Sequence, residues 1–300
     1  MANLTPKQPR VIAPQSLQKF WTWLKTIADR LPLLEANGAS QVNIKNDGLA
    51  IAKGEIAGHS FIHKFGNAPD FDSTDGDITM WDGAEDGTAW ENMVYDYSAT
   101  ADIDSVSSED AGDTVDLEVQ GLDADYNVVV QTVTLNGQTR VALTTNLIRI
   151  FRSKNVGATD LVGHVFVYVN GAITGGIPDD ASTIRAVVHP ENNQTEMAVF
   201  TIPANRKGYL CCLFASTAGA SKATSYVIRL KARPFGQVFQ LKHKGAIADD
   251  GTSHFAHVFN EPEVFAAKTD IEITIEIADG AKTAAAVAGG FDIVLVEDGY

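Results

Sequence analysis

The sequence predicts a mainly β protein, an N-terminal amphipathic helix followed by two antiparallel β-sandwich or jelly-roll-like domains. Three observations carry that reading. A helical apolar period is sustained only over residues 14–36. From about residue 41 onward, β-branched runs recur at roughly ten-residue spacing. Gly, Asn and Asp turns, rather than helical segments, separate those runs. The expected division is an arm over 1–40, a β domain over 41–189 and a second over 190–300, parted near Pro190-Glu-Asn-Asn-Gln194.

In the arm, Leu17, Phe20, Trp21, Leu24, Ile27, Ala28 and Leu31 fall at i, i+3, i+4, i+7, i+10, i+11 and i+14, one continuous apolar stripe. Pro14 suits a helix start and Gly38 a stop. Residues 1–36 hold Lys7, Arg10, Lys19, Lys25 and Arg30 against Asp29 and Glu35, a net +3, which leaves −18 on the rest of a chain of net −15. A basic, aromatic, amphipathic helix on an acidic body reads as a docking or self-association arm. Its interface residues would be Leu17, Phe20, Trp21, Leu24, Ile27 and Leu31. The same stripe also suits a lid on the protein's own core, or a helix lying on a membrane surface.

Val42-Asn-Ile44 and Leu49-Ala-Ile51 read as short alternating strand pieces. Tyr126–Leu135 is a long β-branched run that meets Asn136-Gly137 and resumes at Gln138–Leu143, which predicts a type I′ hairpin. Val165–Val169 meets Asn170-Gly171 and resumes at Ala172–Thr174, a second hairpin signal. Further strands are expected at Val115–Val119, Leu147–Phe151, Ile184–His189, Met197–Ile202, Tyr209–Ala215, Tyr226–Ala232, Val238–Lys242, Phe255–Phe259, Ile271–Ile277 and Phe291–Val296. Ala278–Gly290 suits a short helix or a mobile loop.

Composition narrows the function. Acidic residues outnumber basic ones 38 to 23, so clustered phosphate contacts are not expected and neither is a nucleic-acid partner. No apolar stretch approaches the ~18 residues of a membrane span, and the first residues lack a secretory signal, so assembly in a cytoplasm is expected. Cys211 and Cys212 are adjacent and read as small hydrophobes, because strand neighbours point to opposite faces. The motifs of serine hydrolases, P-loop NTPases, dinucleotide binders and zinc proteases are missing, and the chain is expected not to be an enzyme. His59 and His63 would share a strand face but lack a third metal ligand; His254 and His257 would not share one.

The strongest local signal is acidic. Asp70-Phe-Asp72-Ser-Thr-Asp75-Gly76-Asp77 continues to Asp82, Glu85 and Asp86 within the loop 70–86. Alternating Asp with a turn-making Gly suits a calcium loop, with Asp70, Asp72 and Asp75 as candidate ligands. The spacing departs from the EF-hand loop, however, and the bland alternative is a solvated acidic surface. Trp81, Trp90, Tyr95 and Tyr97 stand beside it, so a carbohydrate- or receptor-binding module taking a host surface glycan is the second reading. A glycan-cleaving enzyme would need two carboxylates across a cleft, which one loop does not supply.

Several turn and strand phrases carry a resemblance. They are Gly121-Leu-Asp-Ala-Asp-Tyr-Asn127 with Thr132–Gly137, Glu191-Asn-Asn-Gln-Thr-Glu-Met197, Ile202-Pro-Ala-Asn-Arg-Lys-Gly-Tyr-Leu210, Arg233-Pro-Phe-Gly-Gln-Val-Phe239, Lys268–Ile271 and Gly290–Leu295. Over roughly residues 60–300 the chain resembles a family of structural proteins of tailed bacteriophages, frequent among marine phages. The resemblance implies a virion component, on the capsid exterior as a decoration or cement protein or associated with the tail. It implies contacts with copies of itself and with other virion proteins, and no catalytic residues.

Overall fold

The computed structural model describes residues 19, 22, 47–69, 72–218, 224–249, 252–279 and 286–300. Contacts divide the chain into Met1–Ala50 and Ile51–Tyr300. In the first unit, Lys19 and Thr22 are helical and exposed. The six expected interface residues, Leu17, Phe20, Trp21, Leu24, Ile27 and Leu31, lie outside the described residues. Helix α1 (Asp47–Ala52) replaces the strand expected at Leu49-Ala-Ile51, since three residues do not distinguish a helical period from an alternating one.

The second unit is almost wholly β. Its strands are β1 (His59–Ala68), β2 (Ile78–Thr79), β3 (Ile103–Ser108), β4 (Asp116–Leu122), β5 (Val128–Thr134) and β6 (Val141–Leu147). Then come β7 (Arg149–Asn155), β8 (Val165–Val169), β9 (Ile173–Thr174), β10 (Ile177–Pro178), β11 (Ile184–Val188) and β12 (Val199–Thr201). The last six are β13 (Arg206–Ala218), β14 (Thr224–Arg233), β15 (Gln240–Asp249), β16 (Thr252–Phe265), β17 (Asp270–Asp279) and β18 (Ala286–Glu297).

One sheet has the order β1-β18-β13-β16 and a second the order β12-β17-β14-β15, with β2 also paired to β17. Period-2 alternation sorts their side chains. Phe291, Ile293 and Leu295 of β18 and Leu210, Leu213 and Ala215 of β13 are buried from one sheet. Ile271, Ile273 and Ile275 of β17 and Tyr226, Ile228 and Leu230 of β14 are buried from the other. Leu210 and Leu213 are three apart, which alternation forbids. A bulge between Leu210 and Cys212 restores the phase. Cys211 and Cys212 at this bulge are free and half-buried, and burial raises the pKa of both thiols.

The intervening residues form their own sheets, β11-β8-β3-β6 and β5-β4-β7. They leave and rejoin at one edge of β17. Thr79 pairs with Thr274 on the way out, and Val199 with Glu272 on the way back. Between them Met80 N donates to Ile273 O (3.0 Å), Ala198 N to Met80 O (2.9 Å) and Ile273 N to Ala198 O (3.1 Å). Gly66 of β1 passes so close that a Cβ there would lie 2.2 Å from Met80 O and 2.4 Å from Ala198 N.

Three expectations change. The division at residue 190 is crossed, because His59–Ala68 pairs residue for residue with Val287–Val296. The run before Asn136-Gly137 makes no hairpin with the run after it: β5 pairs with β4 and β6 with β3. The hairpin that forms there turns at Asp123–Asn127, where Asp123 Oδ1 accepts from the backbone N–H groups of Asp125 and Asn127, both at 2.9 Å. Beyond Asn170-Gly171, β9 pairs with β10, not with β8. At both Asn-Gly sites the chain crosses between sheets, and a local turn signal does not carry the destination of the next strand.

Candidate functional site

The outer face of β17 is polar yet buried, and the charged face of β14 beside it is half-buried. Asp270, Glu272 and Thr274 are all covered, and the inserted strands supply part of the cover. Arg149, at the start of β7, grips Asp270 with two bonds, Nε to Oδ1 at 2.7 Å and Nη2 to Oδ2 at 3.1 Å. Its Nη1 donates to the carbonyls of Ser98 (2.6 Å) and Ile148 (2.7 Å). Thr201 and Arg233 complete the Asp270 carboxylate with bonds of 2.7 and 2.6 Å. Arg233 lies 4.6 Å from the Tyr97 ring and 4.7 Å from the Phe239 ring, a cation held by two π faces. Tyr97 donates to Glu272 at 3.2 Å, and burial raises the Glu272 pKa to about 7 against the pull of Lys231. Every principal charge in this seam has a partner, so it serves as an internal clamp rather than an open binding surface.

A second cluster lies at one end of the β11-β8-β3 ladder. Val188 of β11 and Ser108 of β3 both pair with Val165 of β8, so the next positions, His189, His164 and Glu109, stand in a row. His164 Nδ1 is 2.8 Å from Glu109 Oε1, and His164 Nε2 is 3.3 Å from His189 Nδ1. His189 Nε2 is 3.7 Å from Glu85 Oε2, which a short 3-10 turn at Asp82–Ala84 delivers. The Trp90 ring packs 4.6 Å from His164. Burial, then the neighbouring His164, lower the His189 pKa to about 4, so its ring is neutral at neutral pH. Sequence reasoning missed His164 and His189 because the signal is cross-strand register, not spacing along the chain.

Asp70 lies outside the described residues. Asp72 and Asp75 are in a tight turn whose carboxylates serve the loop itself. Asp72 Oδ1 accepts from Thr74 N (2.6 Å) and Oγ1 (2.7 Å), and Asp75 Oδ2 accepts from Asp72 N (2.6 Å). Asp77 pairs with Arg229 (2.9 Å) and Lys231 (2.5 Å). Asp82 is buried, accepts from Glu196 N at 2.6 Å, and has its pKa raised by burial. The aromatics beside the loop face inward: Trp81 and Tyr95 are buried in edge-to-face contact, and Tyr97 belongs to the clamp. His63 stacks on Phe214 and lies 2.6 Å from Asp292.

No protein-family model matches the chain, and no curated protein matches it. Among solved structures it is similar to the naturally occurring empty particles of cowpea mosaic virus top component, at 10% identity and TM-score 0.20, covering 65% of this chain and 82% of that one. It is also similar to the Gt strain of infectious bursal disease virus, at 8% identity and TM-score 0.23, covering 80% and 71%. A third is the VP2 subviral particle of infectious bursal disease virus, at 9% identity and TM-score 0.22, covering 81% and 73%. All are virus-particle structures, and TM-scores of this size do not establish a common fold.

Proposed function

We propose that the chain is a virion structural protein of a tailed bacteriophage, an accessory capsid or tail-associated component that assembles with copies of itself and with other virion proteins in the host cytoplasm. One observation carries this reading. Along the chain β1, β13, β16 and β18 fall in one sheet and β12, β14, β15 and β17 in the other, so the path alternates between sheets except at the β14–β15 hairpin. That is the connectivity of an eight-stranded jelly roll, an architecture of viral capsid proteins, lectins and cupins. Here the inward rows are Ile, Leu and Phe, which fill the interior that a cupin leaves for a metal and substrate. Trp81 and Tyr95, the aromatics a lectin would expose, are in the core. The resemblance to phage structural proteins favours the capsid alternative, and the acidic charge suits a subunit that stays dissolved until it meets its place in the particle.

The test is mass and attachment. Light scattering on the purified full-length protein should give an oligomer, and deletion of residues 1–36 should abolish assembly or particle attachment while leaving the β signal of far-UV circular dichroism intact. A full-length monomer that neither self-associates nor is found in purified particles would sink the reading.

A further inference from the structure

We propose that Glu85, His164 and His189 bind a divalent cation of the zinc class, which ties the end of the inserted sheet to the segment leading out of the jelly roll. Two imidazoles and one carboxylate are the donor set that zinc takes, and a harder ion such as calcium does not choose nitrogen. One ligand atom from each residue lies within 4.8 Å of the others. In a tetrahedral site with bonds of about 2.0 Å, ligand atoms stand about 3.3 Å apart. His164 Nε2 meets His189 Nδ1 at 3.3 Å and Glu85 Oε2 meets His189 Nε2 at 3.7 Å, so the His189 ring must turn to offer one nitrogen to an ion held between the other two ligands.

The surroundings are arranged for ligation. Glu109 on His164 Nδ1 leaves Nε2 as the ligand and fixes the ring, the outer-sphere carboxylate that metal-bound histidines ordinarily carry. His189 Nε2 is buried and makes no hydrogen bond. Cross-strand pairing ends at Val165 and Val188, one residue short of His164 and His189, so the end of the ladder sets their separation. The side chains of His164 and His189 are each 20% exposed and that of Glu85 is 29% exposed, so the cluster lies near the surface although His189 Nε2 and Glu85 Oε2 are themselves covered.

The experiment uses the full-length chain stripped with a chelator and dialysed. Zinc is titrated in competition with a chromophoric chelator, and cobalt(II) is added separately as a spectroscopic probe. One zinc per chain at micromolar affinity or tighter, a raised melting temperature, and the visible absorption of four-coordinate cobalt are expected. His164→Gln and His189→Gln should each weaken binding by about 100-fold or more, and Glu109→Gln by ~10–100-fold. The double variant Asp72→Asn/Asp75→Asn should bind as the parent does. Should both histidine variants fail to fold, Glu109→Gln still reads the site, since Glu109 is not a ligand. Absence of saturable zinc binding overturns the proposal. So does unchanged affinity in the folded variants, or displacement of zinc by millimolar calcium; the Glu109–His164–His189 row is then only a hydrogen-bonded chain.

Discussion

Lys64 shows how a single residue makes stability depend on pH. It is buried on β1 and donates to the Phe151 carbonyl of the insertion. Burial, with repulsion from Arg152, lowers its pKa from 10.5 to about 7, while Asp82 pulls the other way. The folded state therefore holds fewer protons than the unfolded state between pH 7 and 10.5, and this residue's contribution to stability rises with pH across that window. Lys64→Met should stabilise the protein at pH 6 by up to ~2–3 kcal/mol, after the lost hydrogen bond is subtracted. That advantage should shrink steadily toward pH 10. Urea melts at several pH values would measure it, and a difference that does not vary with pH refutes the assignment. Asp270 sits at the opposite extreme, a carboxylate gripped by Arg149, Arg233 and Thr201. Asp270→Ala strands buried guanidinium charge and should cost about 3–5 kcal/mol, read as a fall in denaturation midpoint. Neither role was legible in the sequence, where Lys64 and Asp270 look like ordinary polar strand residues. Burial of a charge depends on what a distant segment lays over it.

At the scale of elements, the strands themselves were legible and their partners were not. The runs at Val165–Val169 and Tyr226–Ala232 became β8 and part of β14, because β-branched and aromatic residues with turn residues at each end are local signals. The Asn-Gly hairpins failed because the strands that follow them pair in other sheets. Gly66 is a case where sequence and packing meet. The β1 backbone lies against the point where the insertion leaves and returns, and any side chain would strike Met80 O and Ala198 N. Gly66→Val should therefore part β1 from both crossing segments and destabilise by several kcal/mol, beyond the ~1–3 kcal/mol of ordinary overpacking, because the obstructing atoms are backbone. Gly54, with open space around it, is the matched control, with Ala as its substitute. Its positive φ of 71° limits the expected cost to ~1 kcal/mol. Equal midpoint shifts for the two variants would mean that the close approach at Gly66 is not what holds these segments together.

For the whole molecule, the proposed self-assembly raises the question of which force would bring together copies of a chain of net charge −15. The nested order of the fold, with strand 59–68 closing against 287–296 around an insertion, was beyond sequence reading, since no local pattern records a partner more than two hundred residues away. The charge division was plain: +3 on residues 1–36 and −18 on the remainder. Under that proposal, two mechanisms would compete to dock the arm on a neighbouring subunit. Exposed pairs between its cations and an acidic body contribute about 0–1 kcal/mol each and fade as the screening length falls from ~10 Å at 0.1 M salt to ~3 Å at 1 M. Burying Phe20 and Trp21 contributes ~2 kcal/mol or more per anchor and does not fade with salt. Screening also relieves repulsion between the acidic bodies, which works in favour of association. The apolar stripe should thus dominate, and light scattering should give the same oligomer mass at low salt and near 1 M. Phe20→Ser/Trp21→Ser should dissociate it under both conditions, whereas Lys19→Gln/Lys25→Gln should slow association while leaving the final mass unchanged. Dissociation of the unaltered protein by salt alone would mean that charge rather than the stripe holds the arm in place.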